Sequence, residues 1–196
     1  MPAAPLHLLG AAQSPGFVPL FRYPYSHEGT AEATQKPVRD ALDRMGYELG
    51  YFTVDGADWY VQSMYQDALA QGKHVDYEAL KEIYLDTEWR AIEFYDVLAR
   101  ATLGRSPKHV LILHESDINA LFLGDLIRHI KSKGWKIIPA KEAFADPMAK
   151  EIPRGDVTQS RLAGLAVEAG YKGAVGNPLT DMTKLDELFR RAFLDR

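Results

Sequence analysis

The sequence contains no cysteine, and this absence removes several chemistries at once. The chain can form no disulfide, has no thiolate nucleophile and offers no cysteine ligand for zinc or an iron–sulfur cluster. The cellular compartment stays open, because many exported proteins also lack disulfides. Neither charge dominates: 23 Lys and Arg stand against 27 Asp and Glu, a balance that does not attract nucleic acid or an anionic membrane. We therefore expect a small or neutral partner.

Long apolar runs and export signals are also missing from the sequence as written. No run approaches the roughly 18 apolar residues of a membrane span, and residues 1–16 carry no basic residue ahead of the apolar residues 6–9. A doubly wound nucleotide-binding domain is an architectural alternative, but no Gly-rich phosphate loop follows any predicted strand. We expect residues 1–16 to be weakly structured because they are rich in Ala and Pro.

Alternating strand and helix patterns predict an α/β fold with a parallel sheet. The residues that follow the weakly structured segment divide into a domain at 17–149 and a helical appendage at 150–196. Strands are predicted at 17–21, 47–54, 110–113 and 135–139. Helices are predicted from Lys36 to Gly46, at 59–71, from Asp76 to Gly104, from Ser116 to Gly134, and at 141–145, 158–169 and 181–194.

Polar side chains follow three of these strands at their C-terminal ends, where parallel α/β folds bind ligands. Arg22 follows the first strand, Asp55 and Asp58 follow the second, and His114 ends the run at 110–113. Simpler roles stay open for each of them. Arg22 could form a loop salt bridge, Asp58 could cap a helix, and His114 could bond a neighbouring backbone group.

Three short motifs resemble those of the polysaccharide deacetylases, carbohydrate esterase family four, in the family's order. The motifs are Phe-Arg-Tyr-Pro-Tyr at 21–25, Thr-Val-Asp-Gly-Ala-Asp-Trp at 53–59 and Leu-Ile-Leu-His at 111–114. They look like the third, fourth and fifth motifs of that family, and the resemblance covers about residues 17–147. It implies a partial (β/α) barrel with about four parallel strands and outer helices. It also implies metal-dependent removal of acetyl groups from N-acetylated oligo- or polysaccharides, by enzymes that are often exported or periplasmic.

The resemblance implies roles for six individual residues. Arg22 would orient a catalytic base, and the main chain near Tyr25 would help to stabilise the oxyanion. His114 would be the general acid that protonates the leaving amine, and Asp58 would pair with it, since a neighbouring carboxylate favours the charged histidine. Trp59 would wall the acetyl pocket, although its simpler role is core packing.

Leu113 would form the other wall of the acetyl pocket. The metal site of the family has no counterpart in the sequence. The family binds a zinc-like divalent metal with one Asp and two His from motifs that precede Arg22, where this sequence has only His7 and no aspartate. No two histidines show metal-ligand spacing on one element. We therefore expect a C-terminal half of a deacetylase, without metal ligands of its own and inactive as an isolated chain.

Two other functions stay open from the sequence. The chain could be a carbohydrate-binding remnant in which Tyr25, Trp59 and nearby aromatics stack on sugars without turnover. It could also be a partner subunit that docks a separate N-terminal half. Because half a barrel leaves two sheet edges with unpaired backbone groups, we expect self-association or dependence on such a half, with residues 151–196 available to cover one edge.

Overall fold

Short strands and longer helices alternate in the computed structural model, which describes residues 17–27, 32–153, 160–177, 189 and 192–194. The strands are β1 (Leu20–Phe21), β2 (Glu48–Leu49), β3 (Val54–Asp55), β4 (His74–Val75), β5 (Leu111–Ile112) and β6 (Phe193–Leu194). The helices are α1 (Glu32–Arg44), α2 (Asp58–Ala70), α3 (Tyr77–Leu103), α4 (Asp117–Ser132), α5 (Ala140–Ala143) and α6 (Arg161–Glu168). Turns of 3-10 helix lie at Pro24–Ser26 and Pro147–Lys150.

The strands pair two by two. β1 pairs in parallel with β2, and β3 pairs in parallel with β5, with Val54 opposite Leu111 and Asp55 opposite Ile112. β4 and β6 form a separate antiparallel pair. The expected α/β class with parallel strands is confirmed, although helices dominate and the described residues contain no closed barrel.

The long helix α3 organises the core. It begins after Asp76, whose carboxylate accepts hydrogen bonds from the backbone N–H groups of Glu78 and Ala79, and it ends at Gly104 in the left-handed conformation, so both predicted ends are confirmed. α3 packs against α2, α4, α6 and β3. Its apolar face shares one core with α4 and α6 through fully buried side chains: Leu80, Tyr84, Leu98, Ile118, Leu126 and Leu162.

Several predicted elements differ from the structure. The predicted strand at 135–139 does not form: Trp135 packs edge-on against Trp89 and tilted against His109, and Pro139 has no N–H to donate to a ladder. The predicted strand at 47–54 forms instead as two short strands, β2 and β3, which pair with β1 and β5 respectively. α1 begins at Glu32 rather than Lys36, and Pro37 lies inside it.

The predicted C-terminal segments are described only in part. Helix 158–169 is confirmed in the shorter form α6, which packs on α3 and contributes to the same core. Most of the predicted helix 181–194, like the segment 1–16, lies outside the described residues, and its end is strand β6 instead, because Phe193–Leu194 pairs with β4. Among the helices of the described part, none is both long and apolar enough to cross a membrane.

Candidate functional site

Asp58 and His114 form a hydrogen-bonded pair at the C-terminal ends of the parallel strands β3 and β5. Asp58 is the first residue of α2 and is only 1% exposed. Its Oδ1 lies 2.9 Å from Nδ1 of His114, and its Oδ2 accepts the backbone N–H of His114 at 2.7 Å. Because β3 and β5 are neighbours in register, their ends bring two residues together that are 56 positions apart. The pairing expected from the sequence therefore forms.

The bond to Asp58 determines which nitrogen of His114 faces solvent. A carboxylate accepts, so the Nδ1–H of His114 donates to Asp58 and Nε2 becomes the nitrogen available for proton exchange. The His114 side chain is 50% exposed. A histidine that is oriented from one side by a buried carboxylate and open on the other has the arrangement of a general acid or base.

Asn119 of α4 completes the support of this pair. Its Nδ2 donates to Oδ2 of Asp58 at 2.6 Å and to the carbonyl of His114 at 2.8 Å. Its Oδ1 accepts the hydroxyl of Tyr84 at 2.5 Å. Both Asn119 and Tyr84 are buried. With the N–H groups of His114 and Trp59, the amide surrounds Asp58 with donors only, which offsets the cost of burying its charge.

Sequence reasoning missed Asn119, although a signal was present. The helix begins after Ser116, whose hydroxyl accepts the backbone N–H of Asn119. Asn119 lies next to Ile118 and three residues before Phe122, both of which are buried. A polar residue inside the apolar face of a helix needs a buried partner, and here Asp58 and His114 are those partners.

A second buried carboxyl group lies directly behind the turn that carries Asp58. Glu88 of α3 is 0% exposed, and its Oε1 accepts the backbone N–H of Ala57 at 3.0 Å. Burial raises the pKa of Glu88 to about 8, with Asp58 and Asp55 adding to the rise while the N–H of Ala57 opposes it. Burial also raises the pKa of Asp55, although the nearby His114 opposes this. No role was predicted for Glu88 from the sequence, because nothing there distinguishes it from the other acidic residues of a long helix.

Arg22 and Tyr25 follow β1, which pairs with β2 and not with β3 or β5. The Nε of Arg22 donates to the carbonyl of Gly50 at 2.7 Å, its Nη2 lies 3.5 Å from the carbonyl of Tyr51, and its guanidinium lies 5.7 Å from the ring centre of Phe52. Burial lowers the pKa of Arg22. These contacts join β1 to the segment after β2, and they do not include Asp58 or His114.

Tyr25 lies in a strained and exposed turn. Its side chain is 96% exposed, and both Tyr25 and Ser26 have a φ of 54°, in the left-handed region that residues with a Cβ rarely adopt. Such strain costs about 1 to 3 kcal/mol per residue and is concentrated at functional sites. The strained conformation makes this turn a candidate part of a functional site.

Trp59 and Leu113 have different surroundings in the described part of the chain. Trp59 is 42% exposed and packs edge-on against Tyr60 with ring centres 5.6 Å apart. Leu113 lines an apolar cavity of about 360 Å³ between β5, α4 and residues 135–138, and Trp59 is not among its lining residues. Both residues flank the Asp58–His114 pair in sequence, but the structure directs them to different surroundings.

The described residues do not fit a divalent metal of the kind that the resemblance implies. Within the ranges that the structure covers, no three His, Asp or Glu side chains converge as a ligand set. Nδ1 of His114 already bonds Asp58, and both oxygens of Asp58 accept N–H donors. The described site therefore contains the histidine–carboxylate pair and its supports.

Comparison with known proteins returns no relative. No family model matches the chain, and neither a curated protein nor a solved structure is similar to it at a significant level. Assignment of a function therefore rests on the site itself and on the three motifs.

Proposed function

We propose that this chain carries the general-acid side of a polysaccharide deacetylase site, on a fold that forms part of a (β/α) barrel. The observation that carries the proposal is the Asp58–His114 pair, with Nδ1 fixed by a buried carboxylate and a half-exposed ring. The adjacent parallel strands β3 and β5 and the order of the three motifs support it.

In the proposed reaction, water loses a proton to the catalytic base that Arg22 would orient and adds to the acetyl carbonyl, and the C–N bond to the sugar then breaks to release acetate. His114 donates the proton on Nε2 to the departing nitrogen, which leaves as an amine rather than as an unstable anion. Asp58 keeps the ring in place with Nε2 directed away from it, while Asn119 holds Asp58. Arg22, the main chain near Tyr25, Trp59 and Leu113 keep the roles implied by the resemblance as proposals.

We expect the isolated chain to release no acetate above buffer level, even with zinc or cobalt added, because the described residues include no ligand set to activate water. Binding is therefore the more direct test. N-acetylglucosamine oligomers should perturb the NMR signals of His114 and Trp59, and glucosamine oligomers, which lack the acetyl group, should perturb them less.

The matched variants are His114→Ala in the site and His74→Ala at an exposed histidine on β4. His114→Ala should abolish the preference for acetylated oligomers, while His74→Ala should keep it. Equal response to both oligomers, or no response, would contradict the proposal. Metal-dependent turnover that is lost in His114→Ala and kept in His74→Ala would place metal ligands outside the residues described here.

A carbohydrate-binding role without turnover is the second candidate, because Trp59 and Tyr25 are both exposed and aromatic rings stack on sugar faces. It predicts that N-acetylated oligomers change the tryptophan fluorescence, that Trp59→Ala removes this change, and that His114→Ala leaves the affinity intact. A dependence of affinity on His114 would favour the deacetylase site. A partner subunit function predicts instead that activity appears only when a separate chain supplies the remaining site residues.

A further inference from the structure

Glu88 is a fully buried titratable group for which the proposed reaction has no use, and its surroundings are unusual. It lies in the middle of α3 with no exposed surface. Oε1 bonds the backbone N–H of Ala57, while Oε2 makes no hydrogen bond of normal geometry among the described residues, although the N–H of Asp58 also lies close enough to favour the charged carboxyl group. A buried carboxyl oxygen without a partner is costly, so a structure that retains it needs a reason.

The turn before α2 is built around this carboxyl group. A Cβ added at Gly56 would overlap the carboxyl oxygens of Glu88, so only glycine allows the backbone to approach so closely. Ala57 precedes the first residue of α2, and its N–H, one of those left unbonded at a helix start, is directed to Glu88. Glu88 therefore fixes the backbone turn that positions Asp58.

The charged groups near Glu88 come from each neighbouring element. Asp55 ends β3 and Asp58 begins α2. Tyr84 lies one helical turn before Glu88 on α3, where burial raises the pKa of its hydroxyl and Glu88 adds to the rise. Burial raises the pKa of Asp55, and His114, which follows β5, opposes that rise. α4 faces this region with the uncharged Asn119, which joins Tyr84 to Asp58.

The buried charge on α6, Arg161, is engaged elsewhere. It donates to the carbonyl of Ala149 at 2.8 Å, and its guanidinium lies 4.0 Å from the ring centre of Tyr51.

We propose that Glu88 is a positioning residue whose protonation state sets how Asp58 and His114 share a proton. While Glu88 is neutral, it holds the turn through Ala57 and adds no charge beside Asp58. When Glu88 loses its proton, a second negative charge lies behind the pair, which favours the charged form of His114. The importance of Glu88 for catalysis rests on the proposed function. The electrostatic coupling between Glu88 and His114 does not depend on that function.

The coupling can be measured without substrate by NMR titration of the His114 ring. Because the pKa of Glu88 is about 8, the His114 signals should show an additional inflection near that pH in the unmodified chain. Glu88→Gln keeps an oxygen for the Ala57 N–H and stays neutral at every pH, so the inflection should disappear. Glu93→Gln, at an exposed glutamate on the same helix, should keep it.

Two outcomes would overturn the proposal: the same inflection in Glu88→Gln as in the unmodified chain, or no inflection in the unmodified chain. A second measurement needs no variant. An infrared difference spectrum between about pH 6 and about pH 10 should show the loss of a protonated carboxyl band from the unmodified chain, and its absence would likewise refute a neutral Glu88. Neither result depends on deacetylation, so the proposed function and this coupling can fail separately.

Discussion

Replacing Glu88 with glutamine should change how the stability of this protein depends on pH. Burial raises the pKa of Glu88 from the ordinary value of 4.5 to about 8. A group whose pKa is higher in the folded state stabilises the fold fully below its unfolded pKa and loses that contribution as the pH rises toward its folded pKa. The stability that Glu88 contributes should therefore decline between pH 4.5 and about 8.

The size of this effect follows from the size of the shift. At about 1.4 kcal/mol per pKa unit, the rise in the pKa of Glu88 corresponds to a loss of as much as about 5 kcal/mol in the free energy of unfolding. That is comparable with the whole free energy of unfolding of a small protein, about 5 to 15 kcal/mol. A real protein relaxes and admits water when a buried group ionises, so the observed loss should be smaller than this upper bound.

Urea unfolding at a series of pH values measures the effect directly. The quantity to compare is the difference in free energy of unfolding between Glu88→Gln and the unmodified chain, because the contributions of other titrating groups largely cancel in it. This difference should move in favour of Glu88→Gln by several kcal/mol between about pH 5 and about pH 9. For the control Glu93→Gln, the free energy of unfolding should change with pH in parallel with that of the unmodified chain. Parallel curves for Glu88→Gln as well would refute a buried, neutral Glu88.

Further predictions concern the supports of the site and the assembly of the chain. Asn119→Ala removes the donors to Asp58 and His114, so it should lower the free energy of unfolding by about 2 to 3 kcal/mol, and a loss below about 0.5 kcal/mol would contradict the network. Gly56→Ala should cost about 2 kcal/mol or more because its methyl group meets Glu88. Gly124→Ala, at an exposed position of α4, should instead stabilise by up to about 1 kcal/mol in the same thermal melts. Sedimentation at micromolar concentration should show self-association, since the described strands form separate pairs with open edges, and a compact monomer with a cooperative melt would contradict this.

The helices were predictable from the sequence where local signals agree with packing. Asp76 and Gly104 mark the ends of α3 through capping, and Ser116 marks the start of α4, because both signals act within one turn of the helix. The extended segment 135–139 has the composition of a strand, but strand formation needs a partner backbone. Its tryptophan packs on Trp89 and His109, and no ladder to β5 forms.

The candidate site was predictable only in its two principal members. Asp58 and His114 were expected because each follows a strand, and neighbouring parallel strands end at the same edge. Glu88 lies on a long helix, where nothing local distinguishes it from the solvated acids, and the apolar neighbours of Asn119 indicate burial without identifying its partners. Their roles arise from contacts 31 and 61 residues away along the chain. Such long-range contacts depend on how the helices pack, which periodicity alone does not determine.

The two histidines that flank β5 show why chemistry is assigned to one end of this strand. His109 precedes the strand and is bonded at both ring nitrogens, with Nδ1 3.0 Å from the hydroxyl of Thr53 and Nε2 3.3 Å from Asp96. Its side chain is only 6% exposed, and burial lowers its pKa, which favours a neutral ring. His114 follows the strand, has one nitrogen bonded to a buried carboxylate, and exposes half of its side chain. A proton can reach substrate only from a nitrogen that substrate can approach. The Thr53–His109–Asp96 group is therefore a structural support, and under the proposed function His114 is the residue that transfers the proton.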